Sequence, residues 1–253
     1  MPNIPYREVW QNILHSPGAW IFTLTLVVVF PILDYKLYAR LKSTLQIYAW
    51  NICAEWALAA ACLWQARSHG MGLADLGEQL GSPRRTLVVA AVLLALIVVQ
   101  IVVGRKQKNK ANPAQVSKAV DQVKRLIPLT GSERRVFVAV ALTAGVAEEF
   151  LYRGWLQNLF AVAVGSLWVG LVISAVLFGG AHAYQGRSGI ISSSLLGCVF
   201  GILFLLTGSL LLGQVLHGAM NLYNGLALGR VANRAGGPGY ATEGGNETAG
   251  APS

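Results

Sequence analysis

Seven apolar segments dominate the sequence, and each is close to the roughly 20 residues that a helix needs to cross a bilayer. They lie at residues 18–34, 44–65, 86–104, 135–160, 163–183, 189–207 and 209–229. Only 12% of all residues are charged, whereas soluble domains average about 25%. The sequence therefore predicts an all-α fold, a polytopic transmembrane helix bundle of about seven spanning helices.

Three regions follow from this pattern. Residues 1–133 hold three spans and a long basic loop, residues 134–229 hold four spans, and residues 230–253 form a glycine-rich tail that we expect to be disordered. The first span has no small-residue cleavage site after it, so we expect it to be retained. The helix-spaced apolar residues in 4–15 and 116–127 predict two helices lying along the membrane surface.

The net charge of +9 comes mainly from loops between the spans. The segments 35–43 and 105–135 are the most basic, and with seven spans they lie on the same side as the tail. Because cytoplasmic loops carry an excess of Lys and Arg, this side should be cytoplasmic and the N-terminus outside. The charge pattern thus predicts that the partner of these basic loops is the lipid bilayer of the plasma membrane. We expect no nucleic-acid partner.

The fourth segment contains two adjacent acids, Glu148 and Glu149, in a strongly apolar setting. Glu149 and Arg153 are four residues apart, which places them on one helix face as an ion pair. Glu148 then lies about 100° around the helix without a local counterion, and such a carboxylate suits a general base. A purely architectural ion pair with a water-facing Glu148 is the alternative.

Two later segments each carry a histidine. His182 follows Phe178 by one turn at the end of the fifth segment, where Gly179 and Gly180 permit close helix approach. Taken alone, His182 is explained better by hydrogen bonding at the membrane interface. His217 and Asn221 share one helix face, and taken alone they are explained equally well by polar contacts between helices.

Together, these groups are more specific than any one of them. A carboxylate, a histidine, and a histidine with an asparagine come from three different helices, and a bundle can gather them around one cavity. We expect that cavity to be lined by Glu148, His182, His217 and Asn221 and to open towards the cytoplasmic half. A base, a second proton-handling group and donors for an oxyanion are what a catalytic site requires.

The order EExxxR, FxxxH and HxxxN resembles the CPBP family of intramembrane proteases, which includes the type II CAAX prenyl proteases and the lysostaphin resistance protein A-like proteins. The resemblance covers about residues 135–229, and its motifs are Glu148-Glu149 with Arg153, Phe178 with His182, and His217 with Asn221. It implies that residues 134–229 form a protease core of CPBP type. Residues 1–133 carry no motif of that family.

The resemblance also implies a role for each group. Glu148 would activate water with the help of His182, and His217 and Asn221 would stabilise the tetrahedral oxyanion. Glu149, Arg153 and Phe178 would then support these groups structurally. The implied activity is that of an endopeptidase acting on a membrane-associated polypeptide, with no prenyl group specified by the sequence.

Two histidines and a glutamate form an acceptable zinc set, but the sequence contains no HExxH motif. Cys53, Cys62 and Cys198 lie in apolar segments without a CxxC pair, so they predict neither a disulfide framework nor a thiolate metal site. We therefore expect no cofactor and a metal-independent reaction, with zinc as the alternative.

A further acid, Glu55, lies in the second span on one face with Tyr48 and Asn51. It either lines the cavity or bonds to a neighbouring helix.

Two other functions fit intramembrane acids and histidines. One is a proton-coupled transporter, which the absence of an inverted repeat disfavours. The other is a non-proteolytic scaffold or immunity protein, which does not need all four polar groups.

Overall fold

The computed structural model describes residues 7–91, 93–94 and 123–234. These residues form eight helices and contain no strand, which confirms the all-α prediction. In chain order we name them α1 (Arg7–Leu14), α2 (Pro17–Arg40), α3 (Thr44–Arg67), α4 (83–91), α5 (131–164), α6 (Leu167–Ala181), α7 (Gly186–Thr207) and α8 (Leu211–Arg234).

Each predicted span within the described residues coincides with a helix. By length and apolarity, Pro17–Arg40 and Ala183–Thr207 qualify as membrane spans, and Leu167–Ala181 is a shorter apolar helix. The number of seven spans stays a prediction. Most of the predicted span 86–104 and of the basic loop lies outside the described residues. So do residues 116–122 of the predicted surface helix 116–127.

The outside of the bundle is apolar. Large side chains such as Trp64, Val176 and Val215 are more than half exposed, and α2, α3 and α5–α8 all carry similar exposed residues. In water, such an extensive apolar surface would be a liability, whereas in lipid it is the expected exterior. The exposed surface therefore fits an integral membrane protein.

The N-terminal helix α1 packs on the bundle instead of resting only on the membrane surface. Trp10 and Ile13 are fully buried. The Trp10 ring lies 5.5 Å from the ring of Trp155 in α5, and Phe22 of α2 meets the same indole edge-on at 5.5 Å. The apolar face that predicted an interfacial helix is thus used for protein packing.

Helix α5 changes its winding directly after the paired glutamates. It is α-helical over Gly131–Glu149, a π-helix over Phe150–Gln157 and α-helical again over Asn158–Val164. Side chains satisfy carbonyls within this wider turn, because Ser174 donates to the Tyr152 carbonyl at 2.7 Å and Asn158 to the Gly154 carbonyl at 2.9 Å. π-Helical turns inside α-helices occur frequently at functional sites.

Glycines set a close helix crossing between α5 and α8. A Cβ atom on Gly145 would lie 2.7 Å from the Gln214 carbonyl oxygen and 2.8 Å from the Gly218 nitrogen. Only glycine permits this approach, since the atoms it would meet belong to the backbone. The crossing lies one turn before Glu148 and beside His217, so it brings their helices together at the candidate site.

Adjacent glycines in α6 give a matched test of this packing. A Cβ atom on Gly179 would lie 2.5 Å from the Ile190 carbonyl oxygen of α7, whereas one on Gly180 would meet nothing within 4 Å. We expect Gly179→Ala to destabilise the protein by about 1–3 kcal/mol through overpacking. Gly180→Ala should be neutral or stabilising by up to about 1 kcal/mol, because alanine favours helix.

Thermal unfolding of the two variants in detergent checks this expectation. Equal unfolding temperatures for both variants would contradict the α6–α7 contact. The sequence had suggested that both glycines permit close approach, whereas within the described residues only Gly179 does so.

The C-terminal tail starts later than predicted. Helix α8 continues to Arg234, and Gly229 packs against the Pro128 carbonyl, where a Cβ would lie at 2.6 Å. The predicted tail 230–253 therefore includes helical residues at its start. Residues 235–253 lie outside the described part of the chain.

Candidate active site

The ion pair expected from the EExxxR spacing is present in α5. Arg153 Nη1 lies 3.1 Å from Glu149 Oε1, and both side chains are only 1% exposed. Two aromatic rings contact the guanidinium: its central carbon is 4.4 Å from the Phe178 ring centre and 5.6 Å from that of Phe200. These cation–π contacts help to replace the water that a buried arginine loses.

His217 lies between the two glutamates, which the sequence did not predict. Its Nδ1 atom is 3.0 Å from Glu149 Oε1, and its Nε2 atom is 3.6 Å from Glu148 Oε2. The ring is buried and stacks on Phe200 at 5.0 Å. Glu148 thus has a histidine neighbour from another helix, and Glu149 contacts both Arg153 and His217.

These contacts determine which ring nitrogen of His217 donates a hydrogen bond. A carboxylate oxygen only accepts hydrogen bonds, so the Nδ1–H of His217 donates to Glu149 and the Nε2 side of the ring faces Glu148. Glu149 thus orients the imidazole as a carboxylate does in other histidine-based sites. The distance of 3.6 Å between His217 Nε2 and Glu148 Oε2 is too long for a hydrogen bond.

His182 is oriented by its own helix. Its Nδ1 atom lies 2.8 Å from the Phe178 carbonyl oxygen. Because a carbonyl only accepts, Nδ1 carries the proton and Nε2 of the neutral ring keeps a lone pair. The Phe178 ring packs 4.6 Å from His182 and 5.9 Å from His217, so this one aromatic residue contacts both histidines and Arg153.

A cavity of about 490 Å³ gathers most of the predicted residues. Glu148, His182, Asn221 and Glu55 all line it, whereas His217 lies buried behind Glu148 and outside the lining. The cavity reaches residues 123–127 and the C-terminal half of α8, which border the basic loop. We expected four residues to line the cavity. Glu148, His182 and Asn221 do so, whereas His217 does not line it and contacts Glu148 instead.

A smaller cavity of about 80 Å³ adjoins the first and shares Glu148, His182 and Glu55 with it. Its lining includes Asp34 at the C-terminal part of α2, which the sequence interpretation overlooked. The other overlooked polar or aromatic neighbours are Tyr38, Tyr184, Asn224 and Phe200, whereas Asn51, which shares a face with Glu55, lines both cavities. The sequence signal that could have identified Asp34 is a single acidic residue at the end of an apolar segment.

The potential metal ligands of the described residues are not gathered in one group. Among the described residues, no three His, Cys, Asp or Glu side chains are placed to hold one metal ion. The Nδ1 atom of His217 and the Oε1 atom of Glu149 are turned towards each other. What the arrangement offers chemically is a carboxylate and an imidazole facing a cavity, with an asparagine amide on the opposite helix.

Comparison with known proteins places the same residues in one family. Residues 131–223 match the model of the Rce1-like family, described as type II CAAX prenyl endopeptidase Rce1-like. The match contains all three motifs and covers α5, α6, α7 and the first half of α8. Comparisons with curated proteins and with solved structures give no match. The match of residues 131–223 to the Rce1-like model thus supports the CPBP family that their motifs indicated.

Proposed function

We propose that the protein is an intramembrane endopeptidase that hydrolyses a peptide bond of a membrane-associated polypeptide. The family consists of membrane endopeptidases, and the observation that carries the proposal is the single cavity lined by Glu148, His182 and Asn221. Glu148 is the base in this proposal because its carboxylate faces the cavity, whereas Glu149 is buried in contacts with Arg153 and His217.

The reaction is a direct attack of water on the peptide carbonyl. Glu148 removes a proton from a water molecule in the cavity while the water oxygen bonds to the carbonyl carbon. The Asn221 amide donates to the oxygen that becomes negative. The Nε2 lone pair of His182 takes up the proton that Glu148 removed from water, and His182 then delivers this proton to the leaving nitrogen as the carbon–nitrogen bond breaks. The products are a new carboxylic acid and a new amine, and Glu148 and His182 return to their starting protonation states.

The structure suggests a positioning role for His217 in this scheme. The family resemblance assigns it to the oxyanion, but its Nε2 atom faces the Glu148 carboxylate and its ring is excluded from the cavity lining. We therefore assign His217 to holding Glu148, with Glu149 holding His217 in turn. This chain of contacts gives the second glutamate of the EExxxR motif a function beyond its ion pair.

We propose no metal for this reaction. The described donor groups do not converge on a zinc position, and a carboxylate and an imidazole can activate water together.

Substrate discovery tests the proposed activity. Membranes from cells that express the wild type, or the Glu148→Gln variant at matched levels, are compared by mass spectrometry of new protein termini. The proposal expects a set of termini that appears only with the wild type. Identical termini in both samples, with proton flux in reconstituted vesicles, would favour the transporter alternative.

The orientation is a separate proposal: the protein lies in the plasma membrane with the basic side and the C-terminus in the cytoplasm. Single cysteines at Ser68 and Ser132 test it in a background without the native cysteines. Both positions are exposed and lie at opposite ends of the bundle by the sequence topology. An impermeant thiol reagent should label Ser68→Cys in intact cells and Ser132→Cys only after permeabilisation. The reverse pattern would invert the topology.

A further inference from the structure

The cavity next to the catalytic groups has a strongly acidic wall. Asp34 of α2, Glu55 of α3 and Glu148 of α5 all line the smaller cavity of about 80 Å³. Within the part of the chain that the structure describes, neither this cavity nor its larger neighbour has a Lys or Arg in its lining. Three carboxylates around so small a space repel one another unless something cationic or a proton lies between them.

Glu55 supplies the clearest sign of a missing partner. Its Oε2 atom is buried and has no hydrogen-bond partner among the described residues. Burial of a polar atom without a partner is unfavourable, and burial of an unpartnered carboxylate is more so. Glu55 lines both cavities, so a group that enters from the catalytic side meets its side chain.

The other neighbours are also suited to a cation. Asp34 accepts a hydrogen bond from Trp50 Nε1 at 2.8 Å through Oδ1, which fixes the carboxylate and leaves Oδ2 outside that bond. Tyr38 and Tyr184 line the same cavity, with ring centres 6.2 Å apart. Aromatic faces and carboxylates are the groups that bind ammonium and guanidinium ions.

One cation of the described chain, Arg125, lies against Tyr38 of this wall, and it is already engaged. Its Nη1 donates to the Tyr38 carbonyl at 2.7 Å, its Nη2 contacts the Leu41 carbonyl, and its guanidinium lies 4.7 Å from the Tyr38 ring centre. A metal ion is a poorer fit, since no three of the described acidic or histidine side chains converge on one point. An extended organic cation can contact separated carboxylates.

We propose that Asp34 and Glu55 form a specificity pocket for a basic side chain, lysine or arginine, of the substrate close to the scissile bond. This inference rests on the proposed endopeptidase function, since the pocket shares Glu148 and His182 with the catalytic cavity. It assigns a role to α2 and α3, which lie outside the segment that matches the family model.

A thermodynamic cycle between protein and substrate tests the pocket. A substrate identified from new termini is prepared with its basic residue intact or replaced by glutamine, and cleavage is measured with wild type, Glu55→Gln and Asp34→Asn. Loss of a buried charge-assisted hydrogen bond predicts about a tenfold or larger drop in kcat/KM for the glutamine substrate with the wild type. With Glu55→Gln the two substrates should differ by less than about threefold, because the coupling is gone.

Glu8→Gln is the matched control, because it removes one exposed carboxylate on α1 away from both cavities. It should preserve the full preference for the basic substrate. Cleavage at sites without nearby Lys or Arg, or an equal preference in Glu55→Gln and Glu8→Gln, would overturn the pocket and leave the endopeptidase proposal standing. Absence of any cleavage by the wild type would overturn both proposals.

Discussion

Replacing Arg153 by glutamine is expected to destabilise the folded protein by about 3–5 kcal/mol, because it leaves the buried Glu149 carboxylate without its cation. The pair is 1% exposed on both sides, so water cannot replace the lost partner. Glu149→Gln should be less harmful to folding, since the guanidinium keeps its aromatic contacts with Phe178 and Phe200. Folded protein is measured by size-exclusion chromatography and by thermal unfolding in detergent.

The double variant Glu149→Gln with Arg153→Gln separates the ion pair from the side chains themselves. It should recover more folded protein than Arg153→Gln alone, because no unpaired charge remains. Its proteolytic activity should stay low, since Glu149 also holds the Nδ1 side of His217. A double variant that is less stable than both single variants would contradict the pairing.

Glu148→Gln is expected to reduce proteolysis by at least about 10²-fold, which is the usual scale for loss of a positioned general base. Glutamine preserves the size of the side chain but cannot accept a proton from water. His182→Ala should cause a loss of the same order by removing the second proton-handling group. Neither change removes the buried ion pair, so protein yield should be close to that of the wild type.

Comparing activity with protein yield distinguishes a catalytic role of Glu148 from a structural one. Rates are measured on one identified substrate at equal amounts of folded protein, with Glu8→Gln as the carboxylate control. Full activity of Glu148→Gln would remove Glu148 from the mechanism. Parallel losses of yield and activity would instead indicate a structural role for the residue.

Contacts within one helix were predictable from sequence spacing, whereas contacts between helices were not. The Glu149–Arg153 pair follows from the distance of four residues on one helix, and it survives the change to π winding at Phe150. The position of His217 between two carboxylates depends on how closely α5 and α8 cross at Gly145. Sequence spacing alone carries no information about that crossing.

The N-terminal part of the site illustrates the same limit. Glu55 was noticed because it interrupts an apolar span, but its place in the cavity depends on how α3 packs against α5. Asp34 was missed because it lies at the end of an apolar run, where a charged residue is ordinary. Both acids face the cavity only in the assembled bundle.

The most direct test of the account is hydrolysis by the purified protein reconstituted in lipid. A substrate identified from new termini is incubated in H₂¹⁸O with a chelator present, and the products are read by mass spectrometry. The account predicts that wild type produces a new carboxyl terminus carrying ¹⁸O, and that Glu148→Gln does not. Equal product formation by Glu148→Gln, or cleavage that stops with the chelator and returns with added zinc, would contradict water activation by Glu148 and His182.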